Sequence, residues 1–235
     1  MIQCSVCGAK NRDLATVCSA CKSFLQARPE ALDLFSTMWG LMESPRRTMK
    51  RIVLSRRKNY AFLLAGLLGI FIVVTALWLA KLARFFESAT SMALTAVVGG
   101  ALGGVVLLLL LGLILTLASL LFGGRPSVRN LFAVLAYSGF PCVCVLFFVF
   151  PVQFAVFGQY LFDRNPSPMV LNPVVHIVLL VFYGLACLWW LVMTVIGNAV
   201  AGSISIVRSA VAVLVAAGLL TGAVAILLAA KPFGP

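Results

Sequence analysis

Residues 1–27 are polar and carry no apolar run, and behind them the chain turns amphipathic and then almost wholly apolar. From Ala31 to Lys58 the apolar positions Leu34, Met38, Leu41 and Met42 recur at helical spacing, with Phe35 and Trp39 beside them. Ser44-Pro45 starts a second short helix, with proline at an early position where its missing N–H costs nothing. In that piece Met49, Ile52 and Val53 are apolar, while Arg46, Arg47, Lys50, Arg51, Arg56, Arg57 and Lys58 are basic. A basic amphipathic segment with Trp and Phe on its apolar side suits a bilayer interface. Packing on the protein's own cytoplasmic face is the other reading, and both can hold together.

Five apolar runs follow, at Tyr60–Leu82, Ser91–Phe122, Leu131–Phe157, Val174–Val200 and Ile206–Ala230. A bilayer core of about 30 Å needs roughly 20 helical residues, so each is long enough to cross. The second is long enough to tilt or to project from the membrane. Only the connection Phe157–Pro173 is more than a simple turn. Its Asn165-Pro166-Ser167-Pro168 and Asn172-Pro173 make it irregular. The pattern predicts an all-α membrane protein: a ribbon over 1–27, amphipathic juxtamembrane helices over 28–59, and a five-helix transmembrane bundle over 60–235.

Composition supports that class. Apolar residues make up 63% of the chain and charged residues only 10%, against about 25% in a soluble domain. The net charge of +12 raises the possibility of nucleic acid, but position argues against it. Eleven of the 18 Lys and Arg residues precede residue 59, most of them just ahead of the first apolar run. That is where a topology signal or an anionic-lipid contact sits. The cluster places the N-terminus in the cytoplasm. Alternation then puts Arg125, Arg129 and Arg208 inside, and Lys81, Arg84, Arg164, Lys231 and the C-terminus outside. The polar, cysteine-rich opening is unlike a signal peptide.

The sharpest chemical signal is Cys4-x2-Cys7 followed by Cys18-x2-Cys21. Two such knuckles read as one tetrahedral Cys4 site for Zn2+, with disulfides as the alternative. Gly8 suits the turn that lets two thiolates reach one metal. Four protein ligands leave no open position, which favours a structural site. A cytoplasmic ribbon also sits where thiols stay reduced. Cys142, Cys144 and Cys187 lie in apolar runs without ligand spacing.

The apolar runs carry little other chemistry. His176, Gln153, Asn198 and Arg208 fall near span ends, and Asp163-Arg164 lies in a loop. A proton or ion relay asks for ionisable groups at membrane depth. No nucleophile–base pair and no phosphate loop are visible, so no catalytic residues are assigned. In the second run Gly99/Gly103 and Gly100/Gly104 have GxxxG spacing, so two backbones can approach there, within the bundle or between subunits. Pro141, after Ser138-Gly139, should kink or interrupt the third run.

Gly123-Gly124-Arg125-Pro126-Ser127-Val128-Arg129, then Leu135-Ala136-Tyr137 and Phe140-Pro141, resembles the motif order of the Yip-domain family. The resemblance covers roughly residues 31–230. Cys7-Gly8-Ala9 and the spacing of the knuckles look like the zinc-ribbon module of bacterial membrane proteins, with Lys22 where a glycine is usual. The resemblance implies a bacterial inner-membrane protein with no catalytic residues. Eukaryotic relatives act in vesicle traffic, associate with small GTPases and form complexes with one another, but the tail they carry is here replaced by the ribbon. The reading is therefore a non-enzymatic scaffold or accessory subunit that presents a cytoplasmic zinc ribbon. Its expected partners are anionic lipids and a protein partner or further subunit. A small-molecule or lipid transporter, and a zinc- or redox-responsive sensor, are the alternatives.

Overall fold

The computed structural model describes residues 1–163 and 165–229, the side chains of 223–229 excepted. Arg164, Lys231 and the predicted last residue of the fifth run, Ala230, lie outside the described residues. So does the C-terminus, whose expected side is left without a structural counterpart.

The chain is almost entirely helical behind a small N-terminal ribbon. In the ribbon, strands β1 (Ile2–Gln3) and β2 (Lys10–Asn11) pair antiparallel, and an isolated bridge joins Val17 to Phe24. Two amphipathic helices follow, α1 (Leu34–Glu43) and α2 (Pro45–Leu54). Asp33 caps α1 by accepting from the Ser36 N–H at 2.8 Å. Ser44 separates the two helices, and Pro45 opens α2 as its position predicts.

Among the described residues four helices are long and apolar enough to cross a membrane. They are α3 (Ala61–Leu79), the continuous 33-residue stretch Ala89–Leu121, the stretch Phe140–Leu161, and α10 (Pro173–Gly202). A fifth apolar helix, α11, runs Ile206–Ala229. The protein is thus an all-α, multi-pass membrane protein with a cysteine cluster at its N-terminus.

Two of these stretches are not plain α-helix. Ala89–Leu121 consists of α4 (Ala89–Leu94), a π-helical turn at Thr95–Gly99, and α5 (Gly100–Leu121). The predicted third run Leu131–Phe157 is broken in two. Helix α6 (Val128–Ser138) ends before Gly139, and α7 (Phe140–Cys144) restarts with Pro141 in its first turn. The proline ring leaves no room for the carbonyl four residues back, so the interruption falls where the sequence places it. Beyond α7 comes a π-helical turn at Val145–Val149, then α8 (Phe150–Phe157), which again carries a proline, Pro151, in its first turn. The wider turn is the local way past a residue that offers no N–H. A short α9 (Pro168–Leu171) precedes α10.

The chain divides into two compact units. One holds Met1–Asn59, Leu110–Val134 and the residues from Thr194 on, and the other holds Tyr60–Leu109 and Leu135–Met193. In the first unit, α2 is docked by its apolar face: Met49 and Ile52 are fully buried. A Cβ on Gly197 would fall 3.1 Å from the Met49 sulfur and 2.3 Å from Val134, so α2, α6 and α10 meet at a backbone without a side chain. Next to Gly197, Asn198 is fully buried and bridges helices, accepting from the Ser119 hydroxyl at 2.9 Å and donating to Ser209 at 3.0 Å. A buried amide is tolerated in an apolar interior only when its groups are met in this way.

In the second unit the aromatic side chains of Trp78 and Tyr183 pack with ring centroids 5.0 Å apart. The His176 ring sits edge-on to Trp78 and to Phe157. Along α5, Leu102, Val106, Leu113, Leu117 and Leu120 form an exposed stripe at helical spacing, the face expected to meet lipid.

Candidate metal centre

The four ribbon cysteines come together through two matching turns. Residues 3–10 and 17–24 repeat the same backbone pattern. The Cys4 N–H donates to the Ala9 carbonyl at 2.9 Å, and the Cys18 N–H donates to the Ser23 carbonyl at 2.9 Å. Gly8 N–H reaches back to the Cys4 carbonyl at 3.0 Å, and Lys22 N–H reaches back to the Cys18 carbonyl at 3.1 Å. Gly8 adopts φ +70° and Lys22 φ +62°. Lysine therefore takes the left-handed conformation that glycine takes in the first knuckle, at a modest steric cost. The departure at Lys22 leaves the turn intact.

The sulfurs of Cys4, Cys7, Cys18 and Cys21 all lie within 4.8 Å of one another. Two pairs, Cys4–Cys21 and Cys7–Cys18, stand 3.6 Å apart. Thiolates at about 2.3 Å from a tetrahedral metal are separated by about 3.8 Å, whereas a disulfide needs about 2.05 Å. All four are free thiols, so the donor set fits a metal ion rather than disulfides.

Neighbouring groups orient these thiols. The Ser23 hydroxyl lies 3.0 Å from both the Cys4 and the Cys21 sulfur. That contact, followed by the Cys7 and Val6 amides, holds the Cys4 thiol down to about 6 and so favours the thiolate that a metal takes. Asn11, nearly buried, donates to the Ala9 carbonyl and to the Cys18 sulfur. Its oxygen accepts from Ser19 N–H at 2.9 Å, which links the two knuckles. Ser23 and Asn11 were not among the residues the spacing singled out. Their proximity to sulfur exists only once the second knuckle folds over the first.

The seven basic residues of the juxtamembrane segment do not share one surface. Arg46 and Lys50 face Asp13 of the ribbon, whose carboxyl is held below its usual range first by the Met1 amino group and then by Lys50 and Arg46. Arg47 and Arg51 line a groove of about 280 Å³ beside Trp39 and Ser36. Lys58 turns back on α2, its ammonium donating to the carbonyls of Ile52 and Val53. The Arg56 carbonyl accepts from Arg129, and its N–H donates to Pro29, while the Arg57 N–H donates to Glu30.

Helix α1 has two apolar faces. Met38 and Leu41 are buried, but Phe35, Trp39 and Met42 are 83%, 70% and 65% exposed. Since the apolar face of α2 is packed inside its own unit, the candidate membrane-touching ridge lies on α1.

The four glycines of the second run also separate. Gly100 and Gly104 are buried against α3: a Cβ on Gly104 would sit 2.4 Å from the Gly69 Cα, and one on Gly100 2.8 Å from the Ile70 Cα. A Cβ on Gly69 would lie 2.0 Å from the Gly100 carbonyl oxygen. Gly99 and Gly103 take no part in this approach. Both are exposed, and a Cβ on Gly103 would meet nothing within 4 Å. Gly69 was missed, because a single glycine in an apolar run has no spacing partner that marks it.

Of the polar residues weighed for transport, Asn198 is held by the Ser119 and Ser209 bonds. Among the described residues the His176 Nδ1 and both amide atoms of Gln153 are buried without a hydrogen-bond partner.

A family model described as the Yip1 domain matches residues 39–229. The chain belongs to the Yip1 family. The match begins within α1 and takes in α2 and all five apolar helices, so the ribbon stands outside the family's domain. Comparison with curated proteins and with solved structures gave no match.

Proposed function

We propose that this Yip1-family protein is a non-enzymatic membrane scaffold or accessory subunit that presents a zinc-loaded ribbon at the cytoplasmic face of a bacterial inner membrane. The observation that carries the reading is the join between parts. A four-thiol site with tetrahedral spacing is built immediately ahead of a Yip1 domain, and none of its ligands leaves a position open for substrate. Zinc is the metal this donor set suits: soft thiolates in a closed tetrahedron match a d10 ion with no geometric preference of its own. When bound, it supplies cross-linking rather than chemistry, holding together a segment with too little apolar mass to fold alone. Anionic lipids and at least one protein partner or further subunit complete the proposal.

Affinity purification of the full chain in mild detergent, beside a Cys4→Ser/Cys7→Ser variant, tests it. A co-purifying protein that is lost with the ribbon ligands supports the scaffold. An unchanged set of co-purifying proteins rejects the ribbon as the presented element.

The second reading is transport, favoured by Gln153 in an apolar helix, which is fully buried with both amide atoms unpartnered among the described residues. Such a group normally has a partner, and water or a polar solute would supply one. Flux in reconstituted vesicles that falls in Gln153→Leu would promote this reading over the scaffold.

A further inference from the structure

The ribbon does not stand free of the rest of its unit. Between its Lys10–Ser19 loop, the first turn of α2 and the α10–α11 connection lies an open cavity of about 1190 Å³. Lys10, Arg12, Arg46, Lys50 and Arg125 line it, against one acidic residue, Asp13. That carboxylate is already in an ion pair with the Met1 amino group at 2.8 Å. Arg46 and Lys50 share this one carboxylate with the Met1 amino group, so among the described residues the positive charges lining the cavity outnumber the negative ones.

The floor does not offset this charge. It is formed by Gly123 and by Ala199, Val200, Ala201 and Gly202 at the end of α10. Carbonyls at a helix C-terminus are acceptors that would repel an anion. Here three of them are engaged: Ala199 accepts from Ile204 N–H, Val200 from Ser203 N–H, and Gly202 from Arg125 N–H. The last bond also fixes the backbone of Arg125 at the rim. The volume slightly exceeds that of a site for a drug-sized ligand, so a single small ion would leave most of it to water.

We propose that this cavity is a binding site for a phosphate-bearing polyanion, held by the guanidinium forks of Arg12, Arg46 and Arg125 and by the point charges of Lys10 and Lys50. Arginine matches phosphate oxygens in a bidentate manner, and three arginines drawn from the ribbon, α2 and the α5–α6 turn can clamp one ligand from three directions. The ribbon then acts as one wall of a ligand site, a role independent of whether it also recruits a protein. The chemistry required is shared by a soluble diphosphate and by the headgroup of an anionic phospholipid.

The test uses the full, metal-loaded chain in phosphatidylcholine nanodiscs, titrated with inorganic pyrophosphate by calorimetry. A second arm uses nanodiscs containing phosphatidylglycerol, followed by detergent extraction and native mass spectrometry of retained lipid. Saturable, salt-sensitive pyrophosphate binding in the neutral discs identifies a soluble phosphate ligand. Phosphatidylglycerol retention without pyrophosphate binding identifies a lipid headgroup. In either case Arg125→Gln and, separately, Arg12→Gln should weaken the interaction about tenfold, the loss expected for one charge-assisted pair, while Arg84→Gln, outside the cavity, leaves it unchanged. Metal content measured on each variant separates loss of the ligand site from loss of the ribbon. The proposal is overturned if neither probe is bound, or if binding is the same in both cavity variants with metal content intact.

Discussion

At the scale of single residues, the close approach of α3 and α5 depends on which glycines face inward. Gly104 opposes the Gly69 backbone, while Gly103, one position away, points to open space. Gly104→Ala should destabilise the protein by about 1–3 kcal/mol through overpacking, and Gly103→Ala should lie within about 0.5 kcal/mol of wild type. Thermal unfolding in detergent measures both. Equal losses in the two variants would show that Gly103 also has a packing partner. The ribbon ligands give a sharper contrast. The native protein should carry one zinc per chain by metal analysis, and Cys18→Ser should lose it together with the ribbon's resistance to proteolysis. Binding at a structural thiolate site is worth on the order of 10 kcal/mol, far more than this short segment gains from apolar burial. A metal content near zero in the native protein would remove the basis for the ribbon.

At the scale of elements, α1 and α2 divide the work that the sequence assigned to one amphipathic segment. The apolar face of α2 is packed inside its unit through Met49 and Ile52, whereas Phe35, Trp39 and Met42 leave an uncovered ridge on α1. That ridge should dip into the headgroup region. Trp39 fluorescence, isolated by difference against Trp39→Phe, should be quenched by lipids brominated near the headgroup end of the acyl chain. No quenching would mean that protein covers the ridge. Lys58, which ties off α2, gives a pH signature. Burial, and then Arg129, push its amine down to about 8, against about 10.4 in an unfolded chain. The folded state thus disfavours the proton, so stability relative to Lys58→Met should rise as pH increases from about 8 towards 10.4 and be level below that window. A difference independent of pH would place Lys58 in water.

At the scale of the whole molecule, charge predicts the side of the membrane on which each turn lies. The basic cluster ahead of α3 should hold the ribbon and the Gly123–Asn130 turn in the cytoplasm, and leave Phe157–Pro173 outside. Single cysteines at Ser127 and Ser167, in a background lacking Cys142, Cys144 and Cys187, should label from opposite sides with an impermeant reagent. Labelling from one side would overturn the predicted crossing order.

The order of elements was determined by the sequence alone, because it rests on local properties. Hydrophobic run length sets a crossing helix, Pro141 sets the break after Ser138, and the knuckle spacing sets the four clustered thiols. Each is a matter of a few consecutive residues and the solvent they prefer. What only the tertiary structure decided is which face of each element meets what. Gly99/Gly103 and Gly100/Gly104 have the same spacing, and only the rotation of α5 against α3 buries one pair and exposes the other. The basic residues of the juxtamembrane segment read as a single patch until folding sends Arg46 and Lys50 towards the ribbon and turns Lys58 back on α2. Gln153 and His176 look like residues near span ends, yet packing leaves both amide atoms of Gln153 and the His176 Nδ1 buried with no hydrogen-bond partner among the described residues. The physical reason is common to these cases. In apolar runs nearly every position is compatible with burial, so periodicity loses its contrast, and contacts between residues far apart in sequence choose the inward face.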